Sequence, residues 1–428
     1  MASGATETVE VLPGRLYWSC VRVTPSDTAD GHFFSTDDLL IYDPYFGDFG
    51  PLNVSQLCRY CRMLNQKLSD SSKANKKVVH CCRPQHDTRA NSVLLLSAWQ
   101  MLYNDKSPEE AWEPFAGLRP ALCPYRDASM GQPLFNLTVL HCLTGLRKAR
   151  ELGWFNADKF DVKAYEYYER VENGDFNWIV PGKFLAFSGP TQTPIAYVDG
   201  VKTNTPETYY EYFRANHVTG IVRFNNKVYD RKKFIDAGFN HYDLYFPDGS
   251  NPPDAIIKRF LDIAEAEPGA LAIHCKAGLG RTGTLISLYI MKHFKLTMTE
   301  VLGWLRLCRP GSVIGPQQTF LEDMQNRMWR EGELHRKNGG TASAAADSMS
   351  QLSLKADGPS AGSSPVAGRL SSASPGSKSP NASPTPMRPK GGFSIAGIHV
   401  GGSRSSSPSR NSGTSSPVKT KPGIFSKR

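Results

Sequence analysis

Ala272-Ile273-His274-Cys275-Lys276-Ala277-Gly278-Leu279-Gly280-Arg281-Thr282-Gly283 is the stretch from which the rest of the chain is read. The apolar run over 270–273 has the composition of a buried strand, and Leu285, Ile286, Leu288, Tyr289 and Ile290 follow at helical spacing. A cysteine therefore stands where a strand turns, through glycines, into a helix. Backbone N–H groups in such a turn point inward, and the positive end of the helix adds to them, so the loop can cradle a dianion such as phosphate. The step from Cys275 to Arg281 sets a nucleophile below a phosphorus atom and a planar guanidinium fork beside its equatorial oxygens. The cradle, Arg281 and the adjacent His274 are expected to hold Cys275 as a thiolate. Transfer to sulfur then requires an acid for the leaving oxygen. Phe246-Pro247-Asp248-Gly249, a turn behind an aromatic strand, offers Asp248, and Gly249 gives that turn freedom to swing.

Two plainer readings compete. The glycines of 278–283 fit the G-x-G-x-x-G pattern of dinucleotide-binding loops, but such a loop has no use for Cys275 or Arg281. The acidic residue it needs about twenty positions on has only Glu300 to fill it. A buried structural cysteine would leave Arg281 and the glycines without a purpose.

The 428 residues give room for two domains and a tail. Residues 1–10 lack the basic start and apolar core of a signal peptide, and apolar runs such as 93–96 fall far short of the roughly eighteen residues of a membrane span. A soluble protein made in the cytosol, without membrane association, is expected. The nine cysteines are scattered; Cys58-Arg59-Tyr60-Cys61 is the one C-x-x-C, it falls inside an amphipathic helix over 54–68, and no second pair follows. No disulfide framework and no metal site are expected. Of the net charge of +10, nine units lie beyond residue 340, where eleven Lys or Arg face two Asp. That positive charge lacks interleaved aromatics, so nucleic acid is not an expected partner.

The N-terminal half reads as a copy of the C-terminal half. Strands are expected over 17–23, 39–42 and 77–82, and helices over 54–68, 89–103 and 137–150. Val78-Val79-His80-Cys81 repeats Ala272-Ile273-His274-Cys275, but Asp87 stands six residues after Cys81 where an anion cradle needs an arginine. This half is expected to be catalytically degenerate, with Cys81 and Cys142 structural. A linker helix rich in Tyr and Glu follows over 161–171, ending in the turn Glu172-Asn173-Gly174-Asp175; Glu166 and Glu169 share one of its faces. The second half alternates strands over 184–187, 220–224, 241–245 and 270–273 with helices over 205–215, 253–265 and 300–307, which predicts an α/β sheet flanked by helices. From about residue 337 onward the composition turns to Ser, Gly, Pro and Ala with scattered Lys and Arg, and predicts a disordered tail. Seven Ser-Pro or Thr-Pro pairs lie in it. Three, at Thr385, Ser407 and Ser416, have a basic residue three positions on, the pattern of proline-directed kinase sites.

Taken together, the loop at 275–283, the Asp248 turn, Gly315-Pro316-Gln317-Gln318, the acidic linker and the duplicated half resemble the cell-division-cycle-fourteen family of dual-specificity protein phosphatases, over roughly residues 13–333. The resemblance implies an α/β fold of two tandem phosphatase-like domains joined by a linker helix: a degenerate one over 13–158, the linker over 159–172, a catalytic one over 173–336, and the tail over 337–428. It implies a nucleophile at Cys275 and a phosphate loop of Lys276, Ala277, Gly278, Leu279, Gly280, Arg281 and Thr282. Asp248 would be general acid and then base, and Gln317, with Gln318 beside it, would orient the hydrolytic water. Glu166, Glu169 and Asp175 would form an acidic groove for substrate. It further implies hydrolysis of phosphoserine, and of phosphotyrosine and phosphothreonine, with preference for Ser-Pro followed by a basic residue at the third position. No metal or organic cofactor is implied. The partners implied are phosphoprotein substrates of proline-directed cyclin-dependent kinases in cell division, with kinases and regulators of the tail. The places implied are nucleus, nucleolus, cytoplasm, centrosome and microtubule cytoskeleton. Two residues depart from the family: Pro247 stands where alanine is usual, and Met130 where an aromatic is usual. The other readings are a phosphoinositide lipid phosphatase, against which Leu279 supplies no positive charge to the loop, and a non-catalytic phosphoprotein-binding module, against which Cys275, Arg281 and Asp248 are all present.

Overall fold

A computed structural model describes residues 7–196 and 200–339. The Ser-Pro and Thr-Pro sites of the tail lie outside the described residues.

Strands β1 (Glu7–Leu12), β2 (Leu16–Cys20), β3 (Gly31–Ser35) and β4 (Lys77–Cys82) form a sheet ordered β1-β2-β4-β3. β1 is antiparallel to β2, whereas β2 and β3 run parallel to β4. Helices α1 (Val54–Ser69), α2 (His86–Tyr103), α3 (Pro108–Trp112) and α4 (Val139–Glu151) complete this unit. α1 starts where Asn53 and Gln56 exchange side-chain and backbone hydrogen bonds in a capping box. The unit thus begins before residue 13, because β1 is its edge strand. Residues 39–42 are not a strand: Leu39 and Ile41 are exposed, and the Leu39 and Leu40 N–H groups turn back to the Thr36 carbonyl. The strand lies earlier, at β3, where Phe34 stacks on His80.

The linker helix α5 is Val162–Tyr168, capped by the Asp161 side chain, and a short 3-10 turn over Val171–Asn173 follows. The expected helix over 161–171 is cut short there.

The second unit carries β5 (Phe176–Val180), β6 (Phe184–Phe187), β7 (Val218–Arg223), β8 (Asn240–Asp243) and β9 (Ala270–His274) in the order β5-β6-β9-β7-β8. β5 is antiparallel to β6 and the remaining pairs are parallel. Its helices are α6 (Tyr210–Ala215), α7 (Lys232–Asp236), α8 (Asp254–Ala266), α9 (Gly280–Phe294), α10 (Met298–Cys308) and α11 (Pro316–Lys337). α11 carries the fold to Lys337, so the ordered chain passes the expected boundary at 336.

The two sheets repeat one plan. An antiparallel edge strand leads to a parallel one, and an inner strand, β4 or β9, has a His-Cys pair at its C-terminal end, His80-Cys81 or His274-Cys275. His80 and His274 are both fully buried, and each ring meets a tyrosine hydroxyl, Tyr60 or Tyr229. The units also share a core. α4 and α10 approach so closely that a Cβ on Gly145 would stand 2.4 Å from the Glu300 carbonyl oxygen, and one on Gly303 would stand 2.3 Å from that of His141. Trp154 and Phe155 of the first unit pack on Trp304 of the second. Contact of this kind fixes the halves against each other.

Candidate active site

Cys275 stands at the end of β9, nearly buried, and the loop after it enters α9 at Gly280. Every carbonyl from Cys275 to Leu279 accepts a hydrogen bond. His274 Nδ1 donates to Cys275 at 2.9 Å, the Gly189 N–H to Lys276 at 3.0 Å, Arg309 Nη2 to Ala277 at 2.9 Å and Arg309 Nε to Gly278 at 3.0 Å. The Leu279 carbonyl takes the Gly283 N–H at 2.9 Å, the first intrahelical bond of α9. With the carbonyls held outward the N–H groups face in, and those of Gly280, Arg281 and Thr282 are first-turn donors with no acceptor inside the helix. Gly278 has φ +67°, and a Cβ there would lie 2.0 Å from the Phe187 carbonyl oxygen, so only glycine fits.

Arg281 is buried. Its Nη1 donates to the carbonyls of Phe246, at 3.0 Å, and Phe224, at 3.2 Å, and its Nη2 stands 3.0 Å from Asp248 Oδ1. Arg281 Nε and Thr282 Oγ1 are buried without a hydrogen-bond partner among the described residues. A tetrahedral oxyanion seated on the loop would give the Arg281 Nε a partner. The Asp248 side chain is 62% exposed, on a turn that Gly249 closes at φ +71°. Gln317 lies in the first turn of α11: its Oε1 accepts the Ile314 N–H at 3.2 Å, and its Nε2 donates at 3.2 Å to the Ser250 carbonyl, in the Asp248 turn. A Cβ on Gly280 would fall 2.8 Å from Gln317 Oε1, so the amide abuts the phosphate loop. Gln318 is committed elsewhere, to Arg306 Nη2 at 2.6 Å and the Gly315 carbonyl.

His274, expected to help hold the Cys275 thiolate, carries no charge of its own. Burial pushes its imidazole down to about 3, so the ring is neutral and works as a donor to the loop. The anion-favouring groups at Cys275 are the inward N–H groups, the helix terminus and Arg281.

The acids of the linker lie on the seam between the units. Glu166 pairs with Arg59 of α1 and accepts from Ser55 Oγ at 2.6 Å; burial opposes ionisation, but these partners outweigh it and hold the carboxyl below its ordinary value. Glu169 accepts from Asn53 Nδ2 at 3.3 Å and from the Tyr165 hydroxyl at 3.4 Å. Asp175, in the left-handed region at φ +49°, turns inward, with Oδ1 3.0 Å from Arg309 Nη2.

Several site residues were not picked out from the sequence. Arg309 is one; its only signal is a cation at the end of an apolar helix, before Pro310. Asp127 is another, an acid of the first unit whose Oδ2 accepts the Gly315 N–H of the second at 2.7 Å. Met130, close by in sequence, is exposed. In the first unit Cys81 is a thiol, pushed up to about 11 by burial, with Asp87 in the first turn of α2. Burial likewise pushes Cys58 and Cys142 up to about 12. Among the described residues no cluster of His, Cys, Asp and Glu could hold a metal, and no helix is long and apolar enough to cross a membrane.

Fold and loop together define the class of cysteine-based phosphatase folds. A family model described as the N-terminal half of dual specificity protein phosphatases matches residues 10–149, and one described as a polymorphic toxin system DSP-PTPase phosphatase matches 198–295. The chain is 50% identical over 329 residues to the dual specificity protein phosphatase CDC14A of Homo sapiens, covering 76% of this chain and 55% of that one. It is 44% identical over 326 residues to CDC14C of Homo sapiens, covering 76% and 73%. Among solved structures, Tk-PTP in its active form matches at 22% identity with a TM-score of 0.30, over 36% of this chain and 97% of that one. The chain belongs to the CDC14 family of dual specificity protein phosphatases. It spans about half the length of the CDC14A relatives it matches.

Proposed function

We propose that the chain is a protein phosphatase that works through a phosphocysteine intermediate. The observation that carries this is the loop itself: five consecutive carbonyls turned outward around Cys275, with Arg281 3.0 Å from Asp248 at its rim. The Cys275 thiolate attacks phosphorus in line and the bond to the substrate oxygen breaks, while Asp248 as carboxylic acid gives that oxygen its proton. Nε and Nη2 of Arg281 face two equatorial oxygens, and the inward N–H groups take the charge that develops. In the second step a water set by Gln317 attacks phosphorus and loses a proton to the Asp248 carboxylate. The phosphorus–sulfur bond breaks, and inorganic phosphate leaves.

The substrates in this reading are phosphoserine, phosphothreonine and phosphotyrosine proteins, with preference for Ser-Pro sites carrying a basic residue three positions on, the products of proline-directed cyclin-dependent kinases in cell division. Glu166, Glu169 and Asp175 are the acids of the seam that favour such a base in this reading, Glu166 being also paired with Arg59 and Asp175 with Arg309. Nucleus, cytoplasm and the microtubule cytoskeleton are the proposed places of action, to be checked by imaging the tagged chain through division. The enzymatic test is phosphate release from a phosphoserine-proline-x-lysine peptide and from a soluble phosphoinositide by wild type and Cys275→Ser. Turnover of the peptide by wild type alone is expected. Equal turnover by both proteins would refute the covalent mechanism, and turnover of the lipid headgroup in place of the peptide would refute the substrate class.

A further inference from the structure

Pro310 disfavours helical backbone at the residue before it, and α10 stops at Cys308 with Arg309 leaving it in an extended conformation, φ −140°. Its side chain is 3% exposed and reaches back under the phosphate loop. Four donations leave one guanidinium: Nε to the Gly278 carbonyl at 3.0 Å, Nη2 to the Ala277 carbonyl at 2.9 Å and to Asp175 Oδ1 at 3.0 Å, and Nη1 to Asn177 Oδ1 at 2.7 Å. Two of the five outward carbonyls are thus held by a single side chain from an element some thirty residues away in sequence. The charge of that side chain, out of water, is balanced by Asp175.

Asp175 braces the loop by a second route. Its own carbonyl accepts the Ser188 N–H at 3.0 Å, and the next residue, Gly189, donates its N–H to the Lys276 carbonyl at 3.0 Å. No side chain could stand at Gly189, where a Cβ would meet the Cys275 carbonyl oxygen at 2.3 Å. One residue at the end of the linker turn therefore anchors the carbonyls of Lys276, Ala277 and Gly278, two through Arg309 and one through the end of β6. The position of Asp175 is itself fixed, since its N–H donates to the Arg170 carbonyl at 3.0 Å.

We propose that Asp175 and Arg309 are a positioning pair that holds the phosphate loop in its anion-binding shape, so that Asp175 acts on every phosphorylated substrate and not only on those with a basic residue beyond the proline. The pair makes the geometry of the linker turn part of the geometry of the catalytic loop. This deepens the phosphatase reading and rests on it for the kinetic readout, while oxyanion binding reads the loop without any turnover.

Two variants test the pair. Asp175→Asn keeps an acceptor for Arg309 and tolerates the left-handed backbone, but removes the counter-charge. Arg309→Lys keeps the charge but offers a point donor where a planar fork spans two carbonyls and two side chains. Tungstate affinity is measured calorimetrically in a Cys275→Ser background. Steady-state kinetics are measured with p-nitrophenyl phosphate and with two phosphoserine-proline peptides bearing Lys or Ala at the third position. Loss of a charged hydrogen bond in the loop's support is expected to weaken tungstate by about tenfold or more in both variants, and to lower kcat by a similar factor on all three substrates. If Asp175→Asn changes only KM for the Lys peptide, and tungstate affinity is unaltered, Asp175 reads substrate and the proposal is wrong. Should Arg309→Lys not fold, Asp175→Asn decides alone. If wild type hydrolyses none of the substrates while tungstate binding still depends on the pair, the positioning role stands and the phosphatase reading falls.

Discussion

Tyr229 is the residue whose loss should be felt most out of proportion to its size. Its hydroxyl lies 2.8 Å from His274 Nε2 and 2.8 Å from His241 Nε2, in a site where all three side chains are buried. The tautomers follow from the partners. His274 Nδ1 faces the Cys275 carbonyl at 2.9 Å and must carry the proton, so its Nε2 is an acceptor and takes the Tyr229 O–H. Tyr229 oxygen is then free to accept the proton on His241 Nε2, which leaves His241 Nδ1 as a bare lone pair, in keeping with its having no hydrogen-bond partner. Tyr229→Phe keeps the ring, which packs 4.4 Å under the Arg223 guanidinium, and deletes only the oxygen. One buried acceptor and one buried donor lose their partner at a stroke. At about 1–3 kcal/mol for each orphaned group the loss is about 2–6 kcal/mol, against a total stability of about 5–15 kcal/mol for a domain. The assay is equilibrium urea unfolding of the full chain followed by the shift in midpoint. His274 also loses the bond that steadies its ring from the Nε2 side, so kcat on an aryl phosphate should fall alongside. A destabilisation below about 0.5 kcal/mol, within the range of an ordinary surface change, would refute the network as drawn.

Asp248→Asn should lower kcat on a phosphoserine peptide by about a hundred- to ten-thousandfold and that on p-nitrophenyl phosphate, whose leaving group scarcely needs a proton, far less; equal losses in steady-state assays would remove Asp248 from the acid's role. Gly278→Ala should abolish tungstate binding by Cys275→Ser protein, because the added carbon would sit 2.0 Å from the Phe187 carbonyl oxygen on a backbone already in the left-handed region; binding within twofold of the parent would show that the loop has another way to form. Burial pushes His80 and His274 down to about 3 and His241 down to about 4, from an ordinary value of 6.5. Between those limits the unfolded chain binds the protons that the folded chain refuses. Stability should therefore be level above about pH 6.5 and fall as the pH drops below it, by up to about 1.4 kcal/mol per pH unit for each ring. Urea midpoints that stay level from pH 7.5 to 5 would contradict this.

Much of the second unit is legible in the sequence. Its strands and helices fall within a few residues of where periodicity places them, because β9 and α9 are apolar on all sides or at clean helical spacing. Two elements that the apolar pattern does not show, β1 and α11, are rich in polar residues. β1 is an edge strand in which Glu7, Thr8 and Glu10 interrupt the apolar pattern, and α11 buries Leu321, Met324 and Met328 among many charged residues. The exposed apolar residues at 39–42 gave the opposite error, since hydrophobicity without a partner strand is not a strand.

The sequence by itself determined the chemistry that is local. Cys275 and Arg281 are joined by a short loop that its glycines allow to turn, and Asp87 stands in the first half where a matching arginine would be needed. Only the tertiary structure decided which way the peptide groups of that loop face, because the donors that claim their carbonyls come from Gly189 and Arg309, far away along the chain. It decided as well that His274 is neutral and that Asp175 turns inward. Charge and protonation depend on what a folded chain places around a group, and the spacing of residues along the chain does not contain that.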